Sequence, residues 1–342
     1  MLGYFKQDKP MPELPEVETI RRGLQRQIIG KTISKIIIKK PNLIKQSGRS
    51  FHKELVGKQF GKIDRIGKLL IFTITQSQNG TNDIQTDTKT TKRYLLIHLK
   101  MTGQLVYCDD KSFVAGGHAN SKKEEEQFMN GKSEIFCRPG KYTHIIFELK
   151  EKRKNHAFIH SKLFFNDLRQ FGMLKVVTEE ELKKIKSKYG IEPGQANFTF
   201  SNFKKALKNK KTNIKATLLN QNIISGLGNI YVDESLFASK IHPQRPANSL
   251  TINEQKRLFN AINRIIKLAI KNNGTTFSDF IDSKGRKGNF KQKLKVYGRQ
   301  NKPCLRCAKN TKLKNKKLNQ EQFIQKIKVA GRGTHFCPHC QK

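Results

Sequence analysis

Residues 302–342 read KPCLRCAKNTKLKNKKLNQEQFIQKIKVAGRGTHFCPHCQK. Two Cys-x2-Cys pairs, Cys304/Cys307 and Cys337/Cys340, are separated by 29 residues. Zn2+ takes four soft ligands in a tetrahedron, and a Cys-x2-Cys turn presents two thiolates from one knuckle. Two knuckles complete the shell, so the pattern predicts one structural Zn2+ with no open position for catalysis. The segment is too short and too basic to bury much apolar surface, and the metal would supply its folding free energy. His335 and His339 are surplus to a four-sulfur set, while Cys108 and Cys137 read as ordinary small residues. Gly331-Arg332-Gly333, between the knuckles, suits a tight hairpin tip. Its arginine is either pushed outward to grip something or one more solvated cation, and spacing alone does not choose.

Upstream of this module the pattern is helical. Glu179 to Lys188, Phe203 to Lys208, Lys215 to Asn220, Ile230 to Ser239 and Asn253 to Lys271 read as helices. Gly274 to Asn289 interrupts them with a Gly- and Lys-bearing loop that suggests a mobile segment. Nearer the start, Glu16 to Ile29 reads as a helix bounded by Pro15 and Gly30. Ile33 to Ile38, Lys62 to Ile74, Tyr94 to Leu99, Thr143 to Leu149 and Leu174 to Val177 read as strands from their β-branched content. Two polar stretches, Gln76 to Lys92 and Asp109 to Ser133, read as surface insertions. The order predicts an α+β multidomain chain. A leader covers 1–11, a β-rich domain 12–177, a linker 178–195, a helical domain 196–295, and the Cys-bearing hairpin 296–342.

Charge narrows the partner. Lys plus Arg number 68 against 27 Asp plus Glu, a formal net charge of +41. Such a surplus repels itself until a polyanion neutralises it, which points to nucleic acid ahead of anionic membrane. No run of 18 apolar residues is present to span a bilayer, and the N-terminus has no apolar core of a secretory signal. With only six cysteines the chain reads as a reduced, cytoplasmic protein rather than a disulfide scaffold.

Six short motifs then fall in order. The stretch Met11-Pro12-Glu13-Leu14-Pro15-Glu16-Val17-Glu18-Thr19 resembles the amino terminus of the formamidopyrimidine-DNA glycosylases. HLKMTG (98–103), DLRQFG (167–172), GLGNIYVDESLFASKIHP (226–243), NGTTFSDF (273–280) and VYGRQNKPC (296–304) match that family in sequence order, ahead of the four-cysteine hairpin. The resemblance implies an N-terminal β-sandwich flanked by helices and a C-terminal helix–two-turn–helix domain with a zinc hairpin. It implies a bifunctional glycosylase and AP lyase of base excision repair. The enzyme would remove 8-oxoguanine and formamidopyrimidines from duplex DNA and cut the strand by β,δ-elimination. The expected partner is double-stranded DNA with oxidised purines or abasic sites, met by a monomer in the bacterial cytoplasm at the nucleoid.

The resemblance also assigns roles. Pro12 is the nucleophile, because a terminal secondary amine can form an iminium with an opened sugar. Glu13 is the acid that protonates the ring oxygen, and Lys68 stands beside the reacting sugar. Met101, Arg169 and Phe171 fill the gap left by a flipped base as plug, orphan-base reader and wedge. Arg169 would bond the Watson–Crick edge of cytosine. Lys215, Asn229 and Arg332 are expected at phosphates, with Tyr231 beside Asn229 in the same Gly-rich turn. Glu234 is expected to brace Asn229 or the active-site backbone. Three features depart from the family pattern. Eleven residues precede Pro12 and turn its nitrogen into an amide, so translation from Met11 or removal of the leader is expected. Lys100 stands where a glycine is expected, which would shift loop geometry, and Gln170 replaces a basic residue.

Three other readings compete. The sister endonuclease VIII group, which prefers oxidised pyrimidines, shares Pro-Glu and a zinc hairpin. The residues 14–19 and the full Met101/Arg169/Phe171 set favour the purine side. A non-catalytic lesion binder follows if the leader stays on Pro12. A generic zinc-ribbon DNA binder explains charge and cysteines but not the N-terminal motif.

Overall fold

A computed structural model describes residues 11–76, 92–109, 113–116, 137–152, 158–275, 290–309 and 318–342. Two compact units emerge, dividing after Ser187, with the described residues from Asn273 to Thr275 joining the first. The division therefore falls inside the stretch expected to be a linker.

The first unit starts with helix α1 (Leu14–Ile28). Val17, Ile20, Leu24 and Ile28 lie along one face of it and are buried in the core. Burial of each such side chain contributes roughly 1.5–3 kcal/mol. Nine strands follow: β1 (Thr32–Ile38), β2 (Gln59–Ile66), β3 (Leu69–Thr75), β4 (Arg93–His98), β5 (Gly103–Cys108), β6 (Phe113–Gly116), β7 (Thr143–Lys152), β8 (Phe158–Asp167) and β9 (Met173–Thr178). Helix α2 (Gly48–Leu55) lies between β1 and β2, and α3 (Glu179–Lys186) follows β9.

The strands pair antiparallel in the order β6-β5-β8-β7-β1-β2-β3-β4-β9. At its centre, β1 and β2 share only the Thr32–Gln59 pair. Buried side chains from the strands on both sides of that junction join one core. Phe60 of β2 meets Phe147 of β7 edge-on at 6.3 Å between ring centroids. This is the β-sandwich that the family resemblance implies, with helices at its flanks.

Several elements differ from the sequence reading. The predicted single strand 62–74 is a hairpin, because Gly67 (φ +55°) turns the chain between Ile66 and Leu69. The stretch expected to be insertion 109–133 contributes strand β6. Strands β5 and β8 were hidden by runs such as Phe158–Asp167, whose polar and apolar residues do not alternate cleanly. Cys108 and Cys137 lie side by side with Cα atoms 5.5 Å apart. The sheet brings both to one apolar patch beside Val106, Ile146 and Phe164, a proximity that sequence spacing does not reveal.

The second unit holds α4 (Phe200–Leu207), α5 (Ile214–Leu219), α6 (Asn229–Ser239), α7 (Ile252–Lys271) and the short α8 (Leu305–Ala308). Helix α6 is buried on nearly every side and packs against α7, on which Leu258, Ile262, Ile266 and Ala269 are buried. Threonines and asparagines cap these helices where the sequence suggests starts: Thr199, Asn213 and Thr251 each accept a backbone N–H three residues on. Strands β10 (Gln325–Val329) and β11 (Arg332–Phe336) form the terminal hairpin. No helix among the described residues is long and apolar enough to cross a membrane.

Candidate functional site

In the first unit the site begins where α1 begins. Glu13 is the N-cap of α1 in extended conformation, so Pro12 lies directly before the helix. Both are buried, Glu13 with 2% of its surface exposed. Glu16, one turn on, uses each carboxylate oxygen separately. Its Oε2 accepts the Glu13 backbone N–H at 3.0 Å. Its Oε1 accepts the Thr275 backbone N–H at 2.7 Å and the Thr275 hydroxyl at 2.9 Å. Gly274 permits this approach: it holds φ +82°, and a Cβ there would stand 2.6 Å from Glu16 Oε1. Glu16 therefore ties the Pro12-Glu13 segment to the entry of the 274–289 loop. Beyond Thr275 that loop lies outside the described residues, as does the leader up to residue 10.

Lys68 sits in the β2–β3 turn with only 5% of its surface exposed. Pairing of Leu69 with His98 brings the next strand alongside. His98 was not singled out in the sequence, although it opens the HLKMTG motif. Burial, with the Lys100 and Lys68 charges added, draws its imidazole down to about 3. Its Nδ1 accepts the Lys100 N–H at 3.0 Å, so the neutral ring carries its hydrogen on Nε2.

Met101 follows in a turn that needs its flanking glycine, since a Cβ on Gly103 would meet Leu99 O at 2.4 Å. Lys100 keeps a left-handed backbone at φ +52°, so the glycine-like geometry survives at a cost of about 1–2 kcal/mol. Gln170 does the same at φ +56°. Arg169 and Phe171 are exposed, Phe171 by 53%, and the guanidinium lies 4.9 Å from the Phe171 ring centroid. The two loops are fastened by one fully buried carboxylate that the sequence reading missed. Asp167 accepts the Thr102 hydroxyl, the Arg169 N–H at 3.2 Å and the Gly172 N–H at 2.7 Å. Thr102 Oγ1 in turn accepts the Arg169 N–H at 2.9 Å.

In the second unit, Asn229 is the first residue of α6 and donates from Nδ2 to Gly333 O at 2.9 Å. Tyr231 is fully buried against Phe290. Arg332 is exposed as the first residue of β11. The hairpin tip is Ala330-Gly331, both left-handed at φ +50° and +71°, rather than Arg332 itself. One expectation needs correction. Lys215 has no exposed surface, and its Nζ is 2.6 Å from Asp233 Oδ1, so it is not available to a phosphate. Glu234 has the structural kind of role expected of it, with backbone rather than Asn229 as its partner. Its carboxylate accepts the backbone N–H groups of Lys295, Val296 and Tyr297, each at 2.9 Å. Burial pushes that carboxyl up, and the three N–H donors oppose the shift.

The four cysteines at 304, 307, 337 and 340 come together, their sulfurs all within 4.8 Å of one another. Three pairs stand at 3.9, 3.9 and 3.4 Å. A tetrahedron with Zn–S bonds of about 2.3 Å has sulfurs about 3.8 Å apart, so the set fits zinc. Arg306, inside the first knuckle, donates to Phe237 O near the end of α6 at 2.9 Å and anchors the module to that helix.

Comparison with known proteins agrees with this geometry. Residues 11–174 match the formamidopyrimidine-DNA glycosylase N-terminal domain, and 189–281 match the H2TH domain of the same family. Residues 322–342 match a zinc finger found in FPG and IleRS. The formamidopyrimidine-DNA glycosylase of Heliobacterium modesticaldum is 36% identical, covering 97% of this chain and 100% of its own. That of Listeria innocua is 35% identical over the same shares. Among solved structures, a Lactococcus lactis Fpg with abasic-site DNA superposes with a TM-score of 0.71 at 32% identity, covering 96% of this chain and 99% of its own. A Lactococcus lactis FPG mutant with DNA containing Fapy-dG gives 0.73 at 31% identity, covering 97% and 100%.

Proposed function

The chain belongs to the formamidopyrimidine-DNA glycosylase family, and on that premise we propose how its residues divide the excision of a damaged base. It is a DNA-formamidopyrimidine glycosylase of base excision repair, from a family that also has AP lyase activity, and it carries one structural zinc. The substrate is duplex DNA containing 8-oxoguanine, a formamidopyrimidine or an abasic site, met by a monomer at the nucleoid.

Pro12 is the nucleophile. Its nitrogen must be a free amine, because an amide lone pair is delocalised into the carbonyl. The amine attacks the anomeric carbon, the glycosidic bond breaks, and the base leaves with its bonding electrons. Glu13 protonates the ring oxygen, and the opened sugar becomes an iminium on Pro12. Loss of protons from the sugar then expels the 3′ and 5′ phosphates in turn, with Lys68 beside the sugar. Met101 and Phe171 occupy the space of the flipped base, and Arg169 bonds the unpaired cytosine. Asn229 and Arg332 take phosphates. Cys304, Cys307, Cys337 and Cys340 hold the zinc, which when bound fixes the hairpin.

The observation that supports this most is the burial of Pro12 and Glu13 at the start of α1, with Glu16 fastening Glu13 to Thr275. Borohydride trapping on a duplex with 8-oxoguanine opposite cytosine, followed by mass mapping of the cross-linked peptide, tests it. An adduct on an N-terminal Pro12 is expected. An adduct on a lysine would overturn Pro12 as the nucleophile, and none from protein that still binds the lesion would move the reading to a blocked, non-cutting lesion binder. Glu13→Gln should abolish base removal and spare lesion binding.

A further inference from the structure

Among the described residues, the second unit holds a buried ion pair that the excision chemistry does not use. Lys215 on α5 and Asp233 on α6 have no exposed surface and pair at 2.6 Å. A fully buried ion pair is a weak source of stability, since desolvating two charges offsets their attraction, and its best-attested use is to fix a register. The geometry here offers a register to fix. Asp233 Oδ2 accepts the backbone N–H of His335 at 2.8 Å. Gly333 O receives Asn229 Nδ2 at 2.9 Å and Lys215 Nζ at 3.5 Å. Residues 333 and 335 alternate along β11, so their backbone groups lie on one edge of that strand. That edge is thus fastened at two points to α5 and α6.

We infer that Asp233, balanced by Lys215, is a positioning residue that locks the register of β11 on α6 and so fixes where Arg332 is presented beside Asn229. Arg332 immediately precedes Gly333, and Cys337 follows at the other end of the strand. Bound zinc would hold the chain at Cys337, while the lock holds β11 at His335 through Asp233 and at Gly333, next to Arg332, through Asn229 and Lys215. Without the lock, the hairpin keeps its metal but its arginine is no longer held in line. Lys215 makes a buried carboxylate tolerable and adds a long contact to Gly333 O, while the acceptor oxygen on the His335 N–H is the part that sets the register.

The inference rests on reading Arg332 as a phosphate contact, and the test separates the two. Four proteins are compared in full-length, zinc-loaded form: wild type, Arg332→Ala, and the charge-free pairs Lys215→Met/Asp233→Asn and Lys215→Met/Asp233→Leu. The pairs leave no unpaired buried charge and differ mainly in whether residue 233 can accept the His335 N–H. Affinity for a duplex with a reduced abasic analogue is measured across salt concentrations, with zinc content assayed alongside.

The Asn pair should stay within about twofold of wild type. The Leu pair should keep its zinc and lose roughly tenfold, the scale of one lost anchored contact. The slope of log affinity against log salt should fall by about 0.9, one phosphate contact, in the Leu pair as in Arg332→Ala. Added to Arg332→Ala, the Leu pair should cost no more than about twofold further, because its effect runs through that arginine. Unchanged affinity in Arg332→Ala overturns the phosphate reading and the inference with it. Normal loss there, with equal loss from the Leu pair in both backgrounds, overturns the inference alone. Zinc loss or unfolding in both pairs also overturns it, since the ion pair would then be a folding element.

Discussion

Asp167→Asn isolates the brace behind the Met101 and Arg169/Phe171 loops. The carboxylate has no exposed surface and serves three donors: the Thr102 hydroxyl, the Arg169 N–H at 3.2 Å and the Gly172 N–H at 2.7 Å. An amide of the same size offers one acceptor oxygen. Thr102 can rotate its hydroxyl, but the Gly172 N–H is fixed and would face an NH2 group. A buried donor left without an acceptor costs about 1–3 kcal/mol. If that cost is borne by the loop geometry needed to fill the gap of a flipped base, excision slows by roughly 5- to 150-fold. Single-turnover excision of 8-oxoguanine from duplex DNA should show this loss. Cleavage of a single-stranded abasic oligonucleotide, which has no partner base to displace, should stay within about threefold of wild type. Equal losses on both substrates would mean that Asp167 holds the whole unit together, and no loss on either would mean that the loops need no brace; both results refute the reasoning.

Removing zinc with a chelator should unfold the hairpin and weaken DNA binding with the first unit still folded, which circular dichroism and a binding titration would read together. Acid should destabilise the first unit through Glu18. Burial alone would raise its carboxyl, but hydrogen bonds from Arg21 and Arg22 and the charges of Arg21 and Arg65 bring it down to about 2 from 4.5. Its folded pKa is depressed, so its contribution of about 3 kcal/mol is complete above pH 4.5 and lost as pH falls towards 2; Glu18→Gln should flatten that limb of denaturant-measured stability. Ala330→Gly should slow zinc release to a chelator, because a left-handed alanine at φ +50° costs more than the glycine entropy that replaces it, a net gain of about 0.5–1 kcal/mol; unchanged or faster release would argue against strain at the tip.

Much of the fold and of the exposed half of the site was legible in the sequence. The four cysteines announced their cluster through spacing alone, and α1 and α7 announced themselves through a one-sided apolar stripe. Strand β8 and the helix α2 did not, because their burial is set by neighbours far along the chain. Lys215 shows the limit most clearly. From the sequence it is one of 68 cationic residues matched to a motif, and a surface phosphate contact is the natural reading. Only the fold shows that Asp233, eighteen residues on, has drawn it out of solvent.

The residues that sequence reading missed, together with Glu234, which it expected as a brace, share a chemistry. In a chain with a net charge of +41, acidic groups are scarce, and several of the buried or half-buried ones act as acceptors for backbone N–H groups behind the proposed working residues. Glu16 holds residues 13 and 275, Asp167 holds 169 and 172, Asp233 holds 335, and Glu234 holds 295 to 297. The physical reason is economy of sign. A cationic surface built for a polyanion cannot also present carboxylates to it, since they would repel the phosphates. Placed beneath the surface and saturated with N–H donors, a carboxylate repels less and fixes two or three backbone positions at once. A motif scan finds the tips that touch the partner, because their chemistry is recognisable in isolation. The carboxylates that aim the tips become visible only when the chain has folded around them.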